Sequence, residues 1–389
     1  MDLRTTEAGT TPPRWALTGA GGFLGWHVRV LALALGWPEP ILVGRSELTD
    51  PEVVASRIDG VDRLLHLAGV NLGEPAAVAA GNRELAEVIA DGLSRCSTPP
   101  GSVIFANSVL AGNGTPYGDS KARAEETLRA VRPDLVDIRL SNLYGEHGHP
   151  LRNGVTAIFC GLLADGRQPT VHEDRELDLV HVTDAAARLL GAPQAGPWDA
   201  AMPSLRLGVR ALAERLTRYA TMEAGGDVPD PADRHAVRLF NTYRSHSFTR
   251  RPPNRLPRPL RPAQLAALTS EGAPGARVRY VLRPGESWGG QFHLAAVRRL
   301  VVTRGSAEIA LRRVGHHEVL RLTVDGTPAA VLDLPTMWTY RVTNRGSRES
   351  PCIVWQNDVS DPVPPDAWHH PVELPDPVRS GNGGLAVLA

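Results

Sequence analysis

The sequence predicts an α/β protein: a doubly wound parallel sheet of the Rossmann type, followed by an all-β antiparallel sandwich or barrel. Three observations carry this. Short apolar runs alternate with amphipathic stretches from Arg14 to about Leu140. A glycine-rich turn joins the first run to the first helix. After roughly residue 263 the texture changes to closely spaced strand-like runs broken by Gly, Pro and Asn turns. Strands buried on both faces read as continuous apolar runs, and strand–helix alternation is what a doubly wound sheet requires.

In chain order, "RWALTG", "PILVG", "RLLHLAG", "SVIFANS" and "VDIRLS" are the predicted parallel strands. "GFLGWHVRVLALALG", "NRELAEVIADGLSR" and "SKARAEETLRAV" between them carry apolar residues at helical spacing. From 155 to about 243, "VTAIFCGLLADG", "TDAAARLLG" and "RALAERLTRYA" predict a smaller helical lobe over the substrate side. "RSHSFTRRPPNRLPRPLRP" is dense in proline and arginine and predicts a junction. Beyond it "ARVRYVLRPG", "VRRLVVTRG", "AEIALRRV", "HEVLRLTVDG", "AAVLDLP", "TYRVTN" and "PCIVWQN" predict an antiparallel sandwich or barrel. The expected domains are 1–245, a junction at 246–262, and 263–389. The sequence has no internal repeat.

A chain of 389 residues exceeds one ordinary core, consistent with two domains. Its 42 basic and 42 acidic residues cancel, so no global field draws it to nucleic acid or membrane. The basic stretch 244–261 lacks interleaved aromatics and reads as solvated linker. Cys96, Cys160 and Cys352 are widely spaced, with no CxxC, which suits a reducing compartment. No signal-peptide run opens the chain and no stretch approaches the ~20 apolar residues of a membrane span, so a cytoplasmic protein is expected.

"TGAGGFLG" places Gly19, Gly22 and Gly25, with Phe23 and Leu24 between, after a strand and at the start of a helix. Glycines there let backbone approach a pyrophosphate seated on the helix N-terminus. The motif alone is weak evidence; its strand-before, helix-after context strengthens it. The second strand ends "ILVGRSE", with Arg45 where an NAD site wants an acid, so NADPH is the expected cofactor. "NSVLAGNGTPYGDSK" supplies Ser108, Tyr117 and Lys121. Tyrosine and lysine four apart share a helix face. The ammonium is expected to lower the phenol pKa, and Ser108 can bond the same carbonyl oxygen. Lys121 is the single lysine of the chain, every other basic residue being arginine, and it falls on this motif.

These motifs, with "HLAGVN" (66–71) and "RLSNLYG" (139–145), resemble the nucleotide-sugar branch of the extended short-chain dehydrogenase/reductases. The resemblance spans about residues 14–245 and implies an NADPH-dependent reductase with Ser108, Tyr117 and Lys121 as its catalytic set. It puts Leu67, Ala68, Gly69 and Asn142 near the cofactor. "HEDRELDLVHVTDAA" (172–186) matches the substrate-side segment, so Arg175 and Asn142 inherit contacts to a nucleotide diphosphate sugar. A homodimer is also expected.

"YVLRPGESWGGQFHLAAVRRLVVTRG", "LDLPTMWTYRVTN" and "IVWQNDVSDPVPPDAW" look like a cupin joined to such a reductase. That pairing, with "LFNTYRSH" (239–246), resembles bifunctional capsular-polysaccharide enzymes in which a zinc cupin epimerises a 4-keto sugar before the reductase acts. Laid on the cupin pattern, the ligand positions hold Gln291, His293, Arg298 and Tyr340. One imidazole cannot replace the four donors zinc wants, so no metal is expected. The barrel is then structural, a metal-free epimerase using His293 and Tyr340, or an effector site. A non-catalytic cofactor-binding scaffold is the alternative for the whole chain. His316-His317 and His369-His370 lie in polar, turn-like sequence and read as solvated.

Overall fold

The computed structural model describes residues 11–150, 154–192, 195–198, 200–269, 275–357 and 366–374. The first ten residues, and residues 358–365 of the cupin-like segment, lie outside that set. The chain divides into two compact units. The first runs to Pro252 and takes in Ala295–Val297, Asn357 and Asp366; the second begins at Pro253 and holds the remainder.

In the first unit, β1 (Trp15–Thr18), β2 (Ile41–Val43), β3 (Arg63–His66), β4 (Ser102–Ser108) and β5 (Val136–Leu140) form a parallel sheet of order β2-β1-β3-β4-β5. The helices between them are α1 (Phe23–Ala34), α2 (Pro51–Ile58), α3 (Pro75–Arg95) and α4 (Pro116–Val131). Val54, Ile58, Ile89, Leu93 and Leu128 from α2, α3 and α4 pack on Ala16, Leu64, Val103 and Phe105 of the sheet. Each such buried aliphatic side chain contributes roughly 1.5–3 kcal/mol. Trp15 sits at the sheet's other end, fully buried, its indole N–H donating to Pro38 O at 2.8 Å. Helix α2 was not anticipated, being only eight residues long, although Asp50 caps it by accepting from Glu52 N and Pro51 starts it.

A small second sheet, β6 (Asn142–Tyr144), β7 (Glu176–His181) and β8 (Ser204–Gly208), follows with α5 (Gly154–Ala164), α6 (Val182–Leu190) and α7 (Val209–Gly225). Its short strands gave no sequence signal of their own. Helix α8 (Arg234–Arg250) runs straight through the boundary expected at 245. Thirteen of its residues are buried, including Arg244 to Phe248, so the start of the supposed linker is core. The reason is pairing. Arg238 is bonded to Asp184, Arg244 Nη1 donates to Asn241 Oδ1 at 3.0 Å, and Arg251 is paired with Glu223. Partnered arginines are tolerated where free ones are not.

The second unit begins with the prolines. Arg258–Pro259 forms β9, the outermost strand of a sheet β10-β17-β12-β15-β9, an edge position where a residue without an N–H removes no ladder bond. After α9 (Pro262–Thr269) come β10 (Ala276–Leu282), β11 (Ser287–Phe292), β12 (Arg298–Val302), β13 (Ser306–Arg313), β14 (Val319–Asp325), β15 (Ala330–Leu334), β16 (Trp338–Asn344), β17 (Ser350–Gln356) and β18 (Trp368–His369). The other sheet has order β14-β13-β16-β11-β18, and every pairing in both is antiparallel. Tyr280 of one sheet meets Trp288 of the other, ring centroids 3.9 Å apart. His316 and His317 are exposed, as expected. The second doublet differs: His369 pairs with Gln291 in β18–β11, and His370 is half-buried against the Phe292 ring, its imidazole pushed down to about 4 by burial.

Candidate active site at the carboxyl edge of the parallel sheet

Strands β1 and β3 are neighbours although β2 intervenes in sequence, so a crevice opens between the loops that leave them. Those loops touch. Gly19 has φ +71°, and a Cβ there would stand 2.8 Å from Ala68 N, so no side chain fits. Helix α1 then begins at Gly22 with no side-chain cap and no acidic residue in its first turn. Phe23 and Leu24 form that turn, and Gly21 and Gly22 are exposed. An uncapped, uncharged helix N-terminus beside a glycine cradle fits a dinucleotide pyrophosphate.

The other loop is tied down by two residues that sequence reasoning missed. Thr18 Oγ1 accepts from Leu67 N and Ala68 N, both at 3.0 Å, and lies 2.8 Å from His66 Nδ1. Asn82 of α3 accepts from Val70 N at 2.9 Å and donates to Val70 O at 2.8 Å, clasping the residue that follows Gly69. It also donates to Ser120 Oγ at 3.2 Å, joining this loop to α4. An asparagine within a helical pattern was the available signal for Asn82. Thr18 had none, being one more residue before a glycine turn.

Ser108 ends β4 and α4 carries Tyr117 and Lys121, so the structure brings the three together. Thr115 caps α4 by accepting from Gly118 N at 3.1 Å. Gly118 allows the helix to press onto the preceding loop: a Cβ there would stand 2.2 Å from Leu110 O. Tyr117 is thereby within hydrogen-bonding reach of Ser108. Lys121 Nζ donates to Ala106 O at 2.9 Å and lies 4.1 Å from the centre of the Phe105 ring. Burial lowers Lys121 to about 8, with Asp137 opposing. The phenol behaves contrary to expectation. Burial raises the Tyr117 pKa and the Ser108 bond draws it partly back, while the ammonium is turned to Ala106 and Phe105.

Arg45 is exposed just beyond β2 and has no ion-pair partner among the described residues. The nearby acid, Glu47, is engaged elsewhere: it accepts from Gly44 N at 2.6 Å and from Arg57 Nε at 2.8 Å. Asn142, at the start of β6, and Arg175, just before β7, are both exposed. Asn142 lies beside Leu179, four residues along from Arg175, so they stand roughly 13 Å apart along the strands.

In the second unit, Gln291 and Tyr340 are cross-strand partners, Gln291 Nε2 donating to Tyr340 Oη at 3.1 Å. Arg298 bonds the same phenol, which burial pushes up in pKa. His293 is fully buried, and its carbonyl accepts from Met337 N at 2.8 Å. No three His, Cys, Asp or Glu side chains are grouped for a metal among the described residues.

Comparison with known proteins follows the same division. The sequence model of the family described as "Polysaccharide biosynthesis C-terminal domain" matches residues 265–368. The UDP-2-acetamido-2,6-beta-L-arabino-hexul-4-ose reductase of Pseudomonas aeruginosa is 25% identical over 369 residues, 90% of this chain and 97% of that one. A ceramide reductase of Caulobacter vibrioides is 26% identical over 195 residues, 45% of this chain and 59% of its own length. The crystal structure of the capsular polysaccharide assembling protein CapF from Staphylococcus aureus superposes with a TM-score of 0.51 at 22% identity, covering 93% of this chain and 100% of that one, a likeness of fold. The parallel sheet with its flanking helices and these likenesses agree on the fold: the chain joins a Rossmann-like parallel sheet to a C-terminal antiparallel β domain, as CapF does.

Proposed function

We propose that the protein reduces a keto group, at C4, of a nucleotide-linked deoxysugar with NADPH. The observation that carries this is the meeting of Ser108, Tyr117 and Lys121 beside the glycine turn at the sheet's carboxyl edge. A relative matched along nearly its whole length bears the name of a UDP-linked hexul-4-ose reductase, which supports the substrate class. Arg45, exposed and without an ion-pair partner among the described residues, and Glu47 held by Arg57 support a 2′-phosphate over a 2′-hydroxyl.

The nicotinamide, when bound, supplies hydride to the carbonyl carbon. The protein's own groups handle the oxygen. Ser108 hydrogen-bonds it, and the Tyr117 phenol gives it a proton as the carbon–oxygen double bond becomes a carbinol. A phenol raised by burial is fully protonated at neutral pH, as a donor must be. Lys121, one helical turn away, buried and cationic, is the group that can turn from Ala106 O to the phenolate left behind. Exposed Arg175 and Asn142 suit the diphosphate and sugar.

The second unit, which we read as a cupin-like domain, is proposed to work without metal. Gln291 and Arg298 both bond the Tyr340 phenol where a metal cupin has ligands, and a guanidinium opposes a divalent cation. The test is NADPH oxidation measured against UDP-, dTDP- and GDP-linked 4-keto-6-deoxy sugars, with NMR of the product. Turnover on one of them is expected. Cofactor binding without turnover on any would leave the scaffold reading instead.

A further inference from the structure

We propose that Phe105 is a positioning residue for Lys121: its ring face holds the ammonium, and His66, anchored by Thr18, holds the ring. The proposal takes Lys121 as the lysine of the reductase site. Thr18, His66 and Phe105 are lateral neighbours in register across β1, β3 and β4, so their side chains share one face of the sheet. The His66 and Phe105 rings stack at 5.4 Å and 16°. Lys121 Nζ lies 4.1 Å from the Phe105 centroid, and the side chain is almost fully buried. It makes one hydrogen bond, to Ala106 O, and pairs with no carboxylate among the described residues. A desolvated cation so placed draws its compensation from the ring's negative face.

The Thr18 hydroxyl decides the state of His66. Its two lone pairs accept from Leu67 N and Ala68 N, so its single proton goes to His66 Nδ1. Nδ1 is therefore an acceptor and the ring is the neutral Nε2–H tautomer. An imidazolium would present an N–H to an oxygen with no lone pair left. The wiring keeps a second cation away from Lys121, and burial together with Lys121 itself pushes His66 down to about 3. The charge that acts on the ammonium is that of Asp137 on β5; on its own helix Tyr117 and Glu125 stand one turn either way, Glu125 being engaged by Arg129 and Arg139.

The sign follows directly. A ring face favours the charged form, so weakening it lowers the Lys121 pKa from its value of about 8. The chain's composition makes this measurable, because selective 13Cε-lysine labelling yields one lysine signal from one lysine. Phe105 is to be replaced by mono-, di- and trifluorophenylalanine, nearly isosteric rings of progressively weaker negative face, and the Lys121 resonance titrated in each. The midpoint should fall stepwise, by roughly one unit at the trifluoro ring, and fall likewise in Phe105→Leu. A midpoint unmoved along the fluorinated series overturns the proposal. The fluorinated rings preserve packing, so the question survives even if Phe105→Leu does not fold. The titration needs neither cofactor nor sugar. Stepwise shifts without keto-sugar turnover would sink the reductase reading alone; turnover with flat midpoints would sink this proposal alone.

Discussion

Replacing Asp184 by Asn should destabilise the first unit by about 3–5 kcal/mol, as breaking one side of a buried ion pair does. Asp184 lies in the first turn of α6 and is 6% exposed. It receives a bidentate pair from Arg238 on α8, at 2.5 and 2.8 Å, and a third bond from Arg234 at 2.7 Å. Asparagine keeps the shape, removes the charge and turns an NH2 toward guanidinium donors, leaving Arg238, 9% exposed, without compensation. For a unit of this size each kcal/mol moves Tm by about 2–4 °C, so a fall of roughly 6–20 °C is expected. The assay is thermal and urea unfolding at pH 7, repeated on Arg238→Gln and the double variant. Burial works against the carboxylate's ionisation, but Arg238's hydrogen bonds and charge, with Arg234, outweigh it and hold Asp184 below its ordinary range. A depressed carboxylate stabilises the fold above its unfolded pKa of ~4 and loses that contribution as pH falls through the folded value. The gap between native protein and Asp184→Asn should therefore be constant above pH ~4 and narrow below it. A loss under about 1 kcal/mol, or strict additivity in the double variant, would refute the reasoning.

Thr18→Val is isosteric yet orphans two buried N–H groups and one imidazole nitrogen; about 1–3 kcal/mol should be lost, with faster hydrogen exchange at Leu67 and Ala68, and unchanged exchange would contradict the wiring. Lys121→Arg should fold but lose most turnover, because a planar guanidinium cannot occupy the compact ammonium's place over Phe105; near-native kcat would remove Lys121 from the mechanism. Calorimetry should show NADPH binding more tightly than NADH, the preference shrinking in Arg45→Ala, and equal affinities in the native protein would defeat the assignment. Elemental analysis should find no stoichiometric zinc, chelator should spare activity, and solvent deuterium should stay out of C3 of the sugar; deuterium without metal would promote His293 and Tyr340 to an acid–base pair.

The sequence by itself determined what depends on near neighbours. Apolar periodicity located β1 to β5, β10 and β12 to β17, since it records which faces each element must bury; glycine-rich β11 escaped it. Glycines and a single lysine announced the candidate site, because a left-handed turn and an ammonium each narrow the residue choice to one. Only the tertiary structure decided what depends on lateral register and burial. Thr18, His66 and Phe105 lie some forty residues apart in turn, and nothing local says that they stand side by side. Arg251 looked like solvated linker because charge alone cannot reveal a partner such as Glu223 on another helix. The phenol of Tyr117 was expected to be lowered by a lysine four residues away. It is raised because the packed site removes water from it and turns that lysine toward Ala106 and the Phe105 ring, and desolvation is a property of the whole fold.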